Sequence, residues 1–189
     1  MSLYTEGKDF KGLNHSAQTL PKGEYEHCTF TGCHFADGHL SNYTFLECTF
    51  VDCDFSNTHL GNTAFRQVFF KDCKMVGAHF NECNSFLLEM SFEACLMQLA
   101  SFYSLPLGTC RFHHCQLPEA DFTEANLSAS VIRNCDLSQA VFEQTNLEKA
   151  DLRGSYGFTL DPELNRVKGL KISKDSLGGL LAKYQLHVE

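Results

Sequence analysis

The chain has 189 residues, a formal net charge of −8 and a sequence pI near 5.5. An acidic balance of this size disfavours direct binding to nucleic acid or to an anionic membrane surface. No apolar run reaches the roughly 20 residues of a membrane-spanning helix, and the polar first twenty residues do not read as a signal peptide, so the expectation is one domain, cytoplasmic and without membrane association.

Residues 1–24 show no period, although Leu20 falls in step with the repeats that begin after it, and they are expected to form an N-terminal cap. From Pro21 to Phe80 the chain divides into three rows of twenty: PKGEYEHCTFTGCHFADGHL, SNYTFLECTFVDCDFSNTHL and GNTAFRQVFFKDCKMVGAHF. Stacked, they align Tyr25, Phe45 and Phe65; Phe30, Phe50 and Phe70; Phe35, Phe55 and Met75; and Leu40, Leu60 and Phe80. Within a row a large apolar residue returns every fifth position. On an α-helix that step advances about 140° and lines no face. On a strand an odd step alternates between faces. A chain that bends once per five residues and returns the middle residue, called i, to one interior satisfies both periods. Four such units make a four-sided coil, and stacked coils pair their backbones at about 4.8 Å as a solenoid.

The frame breaks at Asn81–Phe86, which holds two extra residues, and resumes at Leu87, Phe92, Met97 and onward to Leu152. Placing the insertion on one side keeps Cys95, Cys115 and Cys135 in line with Cys33, Cys53 and Cys73. The expected rod then spans residues 25–157, six and a half coils and roughly 30 Å at the rung spacing of a sheet. Nine of the ten cysteines fall at i−2, an interior position suited to a small, mildly apolar side chain, which favours core filling over metal ligation. Cys83 lies in the irregular segment with its exposure open. Phe86, Leu88, Leu96, Leu99 and Tyr103 are expected to point outward. They form either a patch for a partner or a surface covered by the bulge itself.

The second half of the frame carries Ala120-Asp121-Phe122, Ala125-Asn126-Leu127, Cys135-Asp136-Leu137, Thr145-Asn146-Leu147 and Ala150-Asp151-Leu152. These match an A-D/N-L-x-x signature, and the chain here resembles the pentapeptide-repeat proteins. The resemblance implies an all-β solenoid, a right-handed quadrilateral β-helix with i and i−2 inward.

Beyond Leu152 the repeats decay into a C-terminal segment, residues 158–189. Asp161-Pro162 marks a turn, Val167–Ile172 a short extended piece, and Ser173 with Asp175 an N-cap for a helix at about 174–184. Leu177, Leu180, Leu181 and Tyr184 fall on one face of that helix. The run Leu160-Asp161-Pro162-Glu163-Leu164-Asn165-Arg166 and the helix after it resemble the tail of the Qnr-type quinolone-resistance proteins and their relatives, the immunity proteins against microcin B17 and albicidin. That resemblance implies a homodimer joined through Leu177, Leu180, Leu181 and Tyr184, the alternative being a helix that caps its own coil.

Charge is uneven along the chain. Residues 25–157 carry sixteen acids and seven bases, whereas residues 1–24 balance and 158–189 hold four acids and five bases. Sorted by side, the third holds Asp37, Asp54, Glu119 and Asp136 against Lys74. The fourth holds Glu82, Asp121, Glu124 and Glu143 with no base, and the second is neutral. A rigid acidic flank attracts basic grooves. The Qnr-type resemblance implies a DNA-mimicking rod that engages DNA gyrase or topoisomerase IV and protects it from quinolones, although this chain lacks the long loops some such proteins carry. Asp at i−1 has a second explanation, since its side chain also stabilises tight turns. His39, His59 and His79 form an outward column that reads either as a duplicated ladder or as a metal or proton site. With no nucleophile–base pair, paired catalytic carboxylates or phosphate loop in the sequence, no enzymatic activity and no cofactor are expected. The competing reading is a protein-interaction scaffold with a different partner.

Overall fold

The computed structural model describes residues 3–186. Eleven short strands alternate with tight bends: β1 (Leu3–Glu6), β2 (Asp9–Lys11), β3 (Gly23–Glu26), β4 (Thr29–Thr31), β5 (Thr44–Leu46), β6 (Thr49–Val51), β7 (Ala64–Arg66), β8 (Val68–Lys71), β9 (Met90–Glu93), β10 (Arg111–His113) and β11 (Val131–Arg133). All pair in parallel with the equivalent strand one coil away, β1-β3-β5-β7 on the first side and β2-β4-β6-β8-β9-β10-β11 on the second. Single-residue bridges continue the other two sides, as in the third-side series His34, Asp54, Lys74, Leu96, Gln116, Asp136 and Tyr156. Four ladders make four sides, and the step within each is twenty residues wherever the coil is regular.

Why five residues make a side is visible in the bends. Two residues after most inward residues the backbone enters the left-handed region, at Asp37, Asn57, Glu119 and Glu124 among others. On the third and fourth sides the following N–H closes a turn onto the inward residue's carbonyl, as Gly38 does onto Phe35 at 2.9 Å. The i−2 side chain has a second role beyond filling space. Where it bears a hydroxyl or thiol it donates to the carbonyl of the inward residue in the preceding coil: Thr58 Oγ1 to Phe35 at 2.8 Å, Thr63 Oγ1 to Leu40 at 2.7 Å, Cys48 Sγ to Tyr25 at 3.3 Å. Each coil is thus pinned to the one beneath it by side chain as well as backbone.

Stacked aromatic columns, set edge-on to one another, fill the interior, and on the first side Tyr25, Phe45 and Phe65 stack with centroids 5.6–5.7 Å apart. On the second side Phe10, Phe30, Phe50, Phe70, Phe92 and Phe112 stack with centroids 4.6–5.1 Å apart. On the fourth Phe80, Phe102, Phe122 and Phe142 stack at 5.0–5.2 Å. All ten cysteines are buried free thiols, Cys83 included. Burial pushes the Cys110 thiol up to about 12, so at neutral pH it stays a protonated thiol.

Three expectations are corrected. Residues 1–24 are not a cap outside the frame: β1 and β2 pair with β3 and β4, and Thr5, Phe10, His15 and Leu20 lie beneath Tyr25, Phe30, Phe35 and Leu40. Two of those four inward residues are polar, which hid the period. His15 is held there because its Nδ1 accepts the Leu20 N–H at 3.1 Å. At the other end the frame does not stop at residue 157. Asn146 bridges Arg166 and Asp151 bridges Lys171, so Val167 and Ile172 are inward residues of a further coil.

The insertion is also placed differently. Asn84 still pairs twenty residues back with Ala64, whereas Met90 pairs with Val68 at a step of twenty-two, so the extra residues lie between Asn84 and Met90. The Asn84 side chain accepts the Phe86 N–H at 2.9 Å and turns the chain there. Leu87 takes a left-handed conformation and is 64% exposed, and Leu88 is 5% exposed, the reverse of the expected orientation.

Candidate partner-binding faces

The eight acidic residues expected on two sides do lie there, but they are held in different ways. Asp54, Asp121 and Asp136, each just before an inward residue, accept the backbone N–H two residues on, from Ser56, Thr123 and Ser138, all at 2.9 Å. One carboxylate oxygen therefore shapes the turn and the other remains for a partner. Asp54 is further engaged by Lys74 at 3.6 Å; burial pushes its carboxyl up, yet the bonds from Ser56 and the charge of Lys74 hold it below the usual range. Asp37 accepts from Asn57 at 3.3 Å, and Glu119 from Gln98 at 3.0 Å. Glu82 sits in a 3-10 turn, Phe80–Glu82, just ahead of the insertion.

From residue 38 to residue 144 the fourth side has no base, the one in the first coil being the exposed Lys22 two residues after Leu20. Its acids gather where the coils are most regular: Asp121, Glu124 and Glu143 follow one another over two coils. Glu124 beside Tyr103 raises that phenol above its ordinary range, so the corner carries an aromatic next to a carboxylate. The expected outward patch is present at Phe86, Leu87, Leu96, Leu99 and Tyr103, with Leu87 taking the place of Leu88. The Arg66 guanidinium lies 5.8 Å over the Phe86 ring, and a cavity of about 330 Å³ opens between Leu46, Arg66, Leu87 and Leu88.

The histidine column is a pair. His39 and His59 stack at 4.4 Å, but His79 bridges Ser101 above it and leads into the 3-10 turn. The His79 backbone (φ −94°, ψ 76°) turns into that 3-10 segment, and among the described residues no bridge joins it to His59.

At the C-terminus, 3-10 turns at Lys174–Ser176 and Ala182–Tyr184 flank a single α-helical turn, α1 (Gly178–Leu181). The helix is tied to its own last coil. The Leu160 N–H donates to the Gly179 carbonyl at 3.0 Å, and a Cβ on Gly179 would lie 2.2 Å from the Phe158 oxygen, so only glycine permits the approach. Lys183 spans Asp161 at 2.7 Å and Glu163 at 2.8 Å. Of the four residues expected at a dimer contact, Leu180 packs against the rod's own core, while Leu177, Leu181 and Tyr184 are exposed, as is Leu164.

The sequence pattern gave no sign of a clamp on the second side. Asp151, its side chain 10% exposed, is gripped by Arg133 Nε at 3.1 Å and by Arg153 Nε at 2.9 Å and Nη2 at 2.8 Å. The Arg153 hydrogen bond, outweighing desolvation, and then Arg133 hold the carboxyl well below the usual carboxylate range. A depressed carboxylate stabilises the fold above its unfolded pKa of about 3.9, and that contribution disappears as pH falls through the folded value. Asp151→Asn is expected to lower stability by about 1–2 kcal/mol at neutral pH, the modest size reflecting two half-exposed guanidinium groups. Chemical denaturation should show the gap closing below about pH 4.

Two family models match, described as a pentapeptide repeat region over residues 23–102 and as pentapeptide repeats over residues 110–144 and 120–156, together about two thirds of the chain. Among solved structures, a trypsin-treated point variant of QnrB1, a plasmid-mediated fluoroquinolone resistance protein, matches at 18% identity with a TM-score of 0.65, covering 99% of this chain and 100% of that one. Full-length QnrB1 matches at 17% identity, 97% and 100% coverage and a TM-score of 0.40. HetL of the cyanobacterium Nostoc sp. strain PCC 7120, involved in heterocyst differentiation regulation, matches at 14% identity, 90% and 85% coverage and a TM-score of 0.39. No curated protein matches the sequence. Among the described residues no helix is long and apolar enough to cross a membrane.

Proposed function

The chain belongs to the pentapeptide-repeat family, and on that premise we propose that it is a non-enzymatic cytoplasmic rod whose acidic third and fourth sides bind a basic, DNA-accepting groove of type II topoisomerase, DNA gyrase or topoisomerase IV. The observation that carries this reading is the fourth side itself: Glu82, Asp121, Glu124 and Glu143 on a stiff ladder without a compensating base between residues 38 and 144. Negative groups at fixed spacing on a rigid body are what a groove built for a phosphate backbone attracts. The fold shared with QnrB1, a fluoroquinolone resistance protein, supports the same reading and suggests relief of drug inhibition as its outcome. Exposed Leu177, Leu181 and Tyr184 support a homodimer through the C-terminal helix.

Supercoiling by purified gyrase, with and without a quinolone, tests the proposal. Inhibition by the rod alone or protection from the drug is the expected result; neither effect at micromolar protein would rule it out. A second reading rests on the exposed apolar patch around Leu96 and Tyr103. It makes the protein a scaffold for a different partner, and predicts a pull-down that Leu96→Ser with Tyr103→Ser abolishes but neutralisation of the acidic sides does not.

A further inference from the structure

Among the described residues, strands β1 and β2 are the outermost members of their sheets and pair on one side only. Elsewhere the residue before an inward one donates its N–H to the preceding coil, as Asp54 does to Cys33 at 3.0 Å and Asp136 to Cys115 at 3.0 Å. At Asp9, among the described residues, there is no preceding coil to receive it. Phe10 stacks on Phe30 at 4.7 Å with its ring planes 6° apart, and among the described residues its other face meets no ring. It is half-buried where the equivalent Phe30, Phe50 and Phe70 are fully enclosed.

We propose that this end is a self-association surface, at which a second copy of the chain pairs antiparallel, β2 against β2, about a two-fold axis passing near Phe10. The charges identify the occupant. Asp9 and Lys11 flank Phe10 on the outward face and are both exposed. Charged residues on an edge strand ordinarily discourage pairing. Here they have opposite signs and stand at equal distance from the centre, so a two-fold axis sets each Asp9 against the other copy's Lys11. Their outward N–H and C=O groups become the hydrogen-bonded pairs on either side of a facing Phe10 pair. An isologous contact of this kind closes at two copies when it acts alone, and together with the C-terminal contact it links rods end to end. It also extends the second-side aromatic column across the junction. This contact is separate from the acidic flank and from the C-terminal helix.

Sedimentation of the full chain carrying Leu177→Asp and Leu181→Asp isolates the N-terminal contact. That protein should still dimerise with concentration. Adding Lys11→Asp or Asp9→Lys should each weaken association by about tenfold or more, because like charges then face each other twice. Adding both should restore it. Asp9→Pro, which removes an N–H that the single rod does not use, should abolish the dimer and leave the melting temperature unchanged. A chain that stays monomeric at every concentration leaves the edge to a strand of another protein and overturns self-pairing. So does a charge swap that fails to rescue.

Discussion

Replacing Phe50 with alanine should destabilise the rod by about 3–5 kcal/mol, the range for emptying a phenyl-sized site in a core that cannot collapse. The ring is 0% exposed, stacked on Phe30 at 4.6 Å and on Phe70 at 5.1 Å, and it meets Phe35, Phe45 and Phe55 edge-on. Its neighbours are fixed by ladders above and below, so they cannot slide into the space left behind. Because each coil touches only the next, the damage should interrupt cooperativity between the coils on either side, and denaturant unfolding should broaden or separate into two steps. Phe50→Leu should cost much less, since leucine already fills inward positions at Leu117, Leu127 and Leu137. A loss below about 1 kcal/mol for the alanine variant would mean that the ring does not hold the column together.

The second large effect concerns binding. Under the proposed function, combining Glu82→Gln, Asp121→Asn, Glu124→Gln and Glu143→Gln should lower affinity for gyrase about tenfold to a hundredfold, chiefly through slower association. Added salt should weaken the unaltered protein more than the variant. The fold should tolerate the change. Asparagine already occupies the turn position of Asp121 at Asn126 and Asn146, where Oδ1 accepts the N–H of Ser128 and Glu148, each at 3.1 Å. A control variant neutralised on the first side, at Glu24, Glu26, Glu47 and Glu148, should bind as before. An equal loss from both variants would show that total charge and not the fourth side matters.

The turn bonds give several of the acids a second duty. Asp54, Asp121 and Asp136 each stabilise their own bend, so their presence is explained without a partner. Glu143 has no such duty among the described residues, and Glu82 lies in the 3-10 turn ahead of the insertion. These two residues therefore distinguish binding from architecture most cleanly, because changing them leaves every aspartate-held bend intact.

Much of the molecule was legible from periodicity. A side chain returning every fifth residue, with columns repeating every twentieth, admits neither helix nor simple strand, and that alone determined the four-sided winding, the inward residues from Tyr25 to Phe80 and from Phe92 to Leu152, and the burial of the nine cysteines at i−2. What the tertiary structure decided lies where the pattern is carried by something other than apolar side chains. Thr5 and His15 belong to the first coil because backbone pairing with the second coil places them there, and no hydrophobic signal marks them. Leu88 and not Leu87 turns inward because Asn84 and a left-handed residue direct the bulge. The Asp151 clamp joins residues eighteen positions apart on adjacent coils, and Leu180 is drawn from the exposed face by the last coil beneath it. Local repetition determines which way a residue points. Only neighbours stacked in space determine where the stack begins, bends and ends, since those positions depend on backbone groups that find or lack a partner on the next coil.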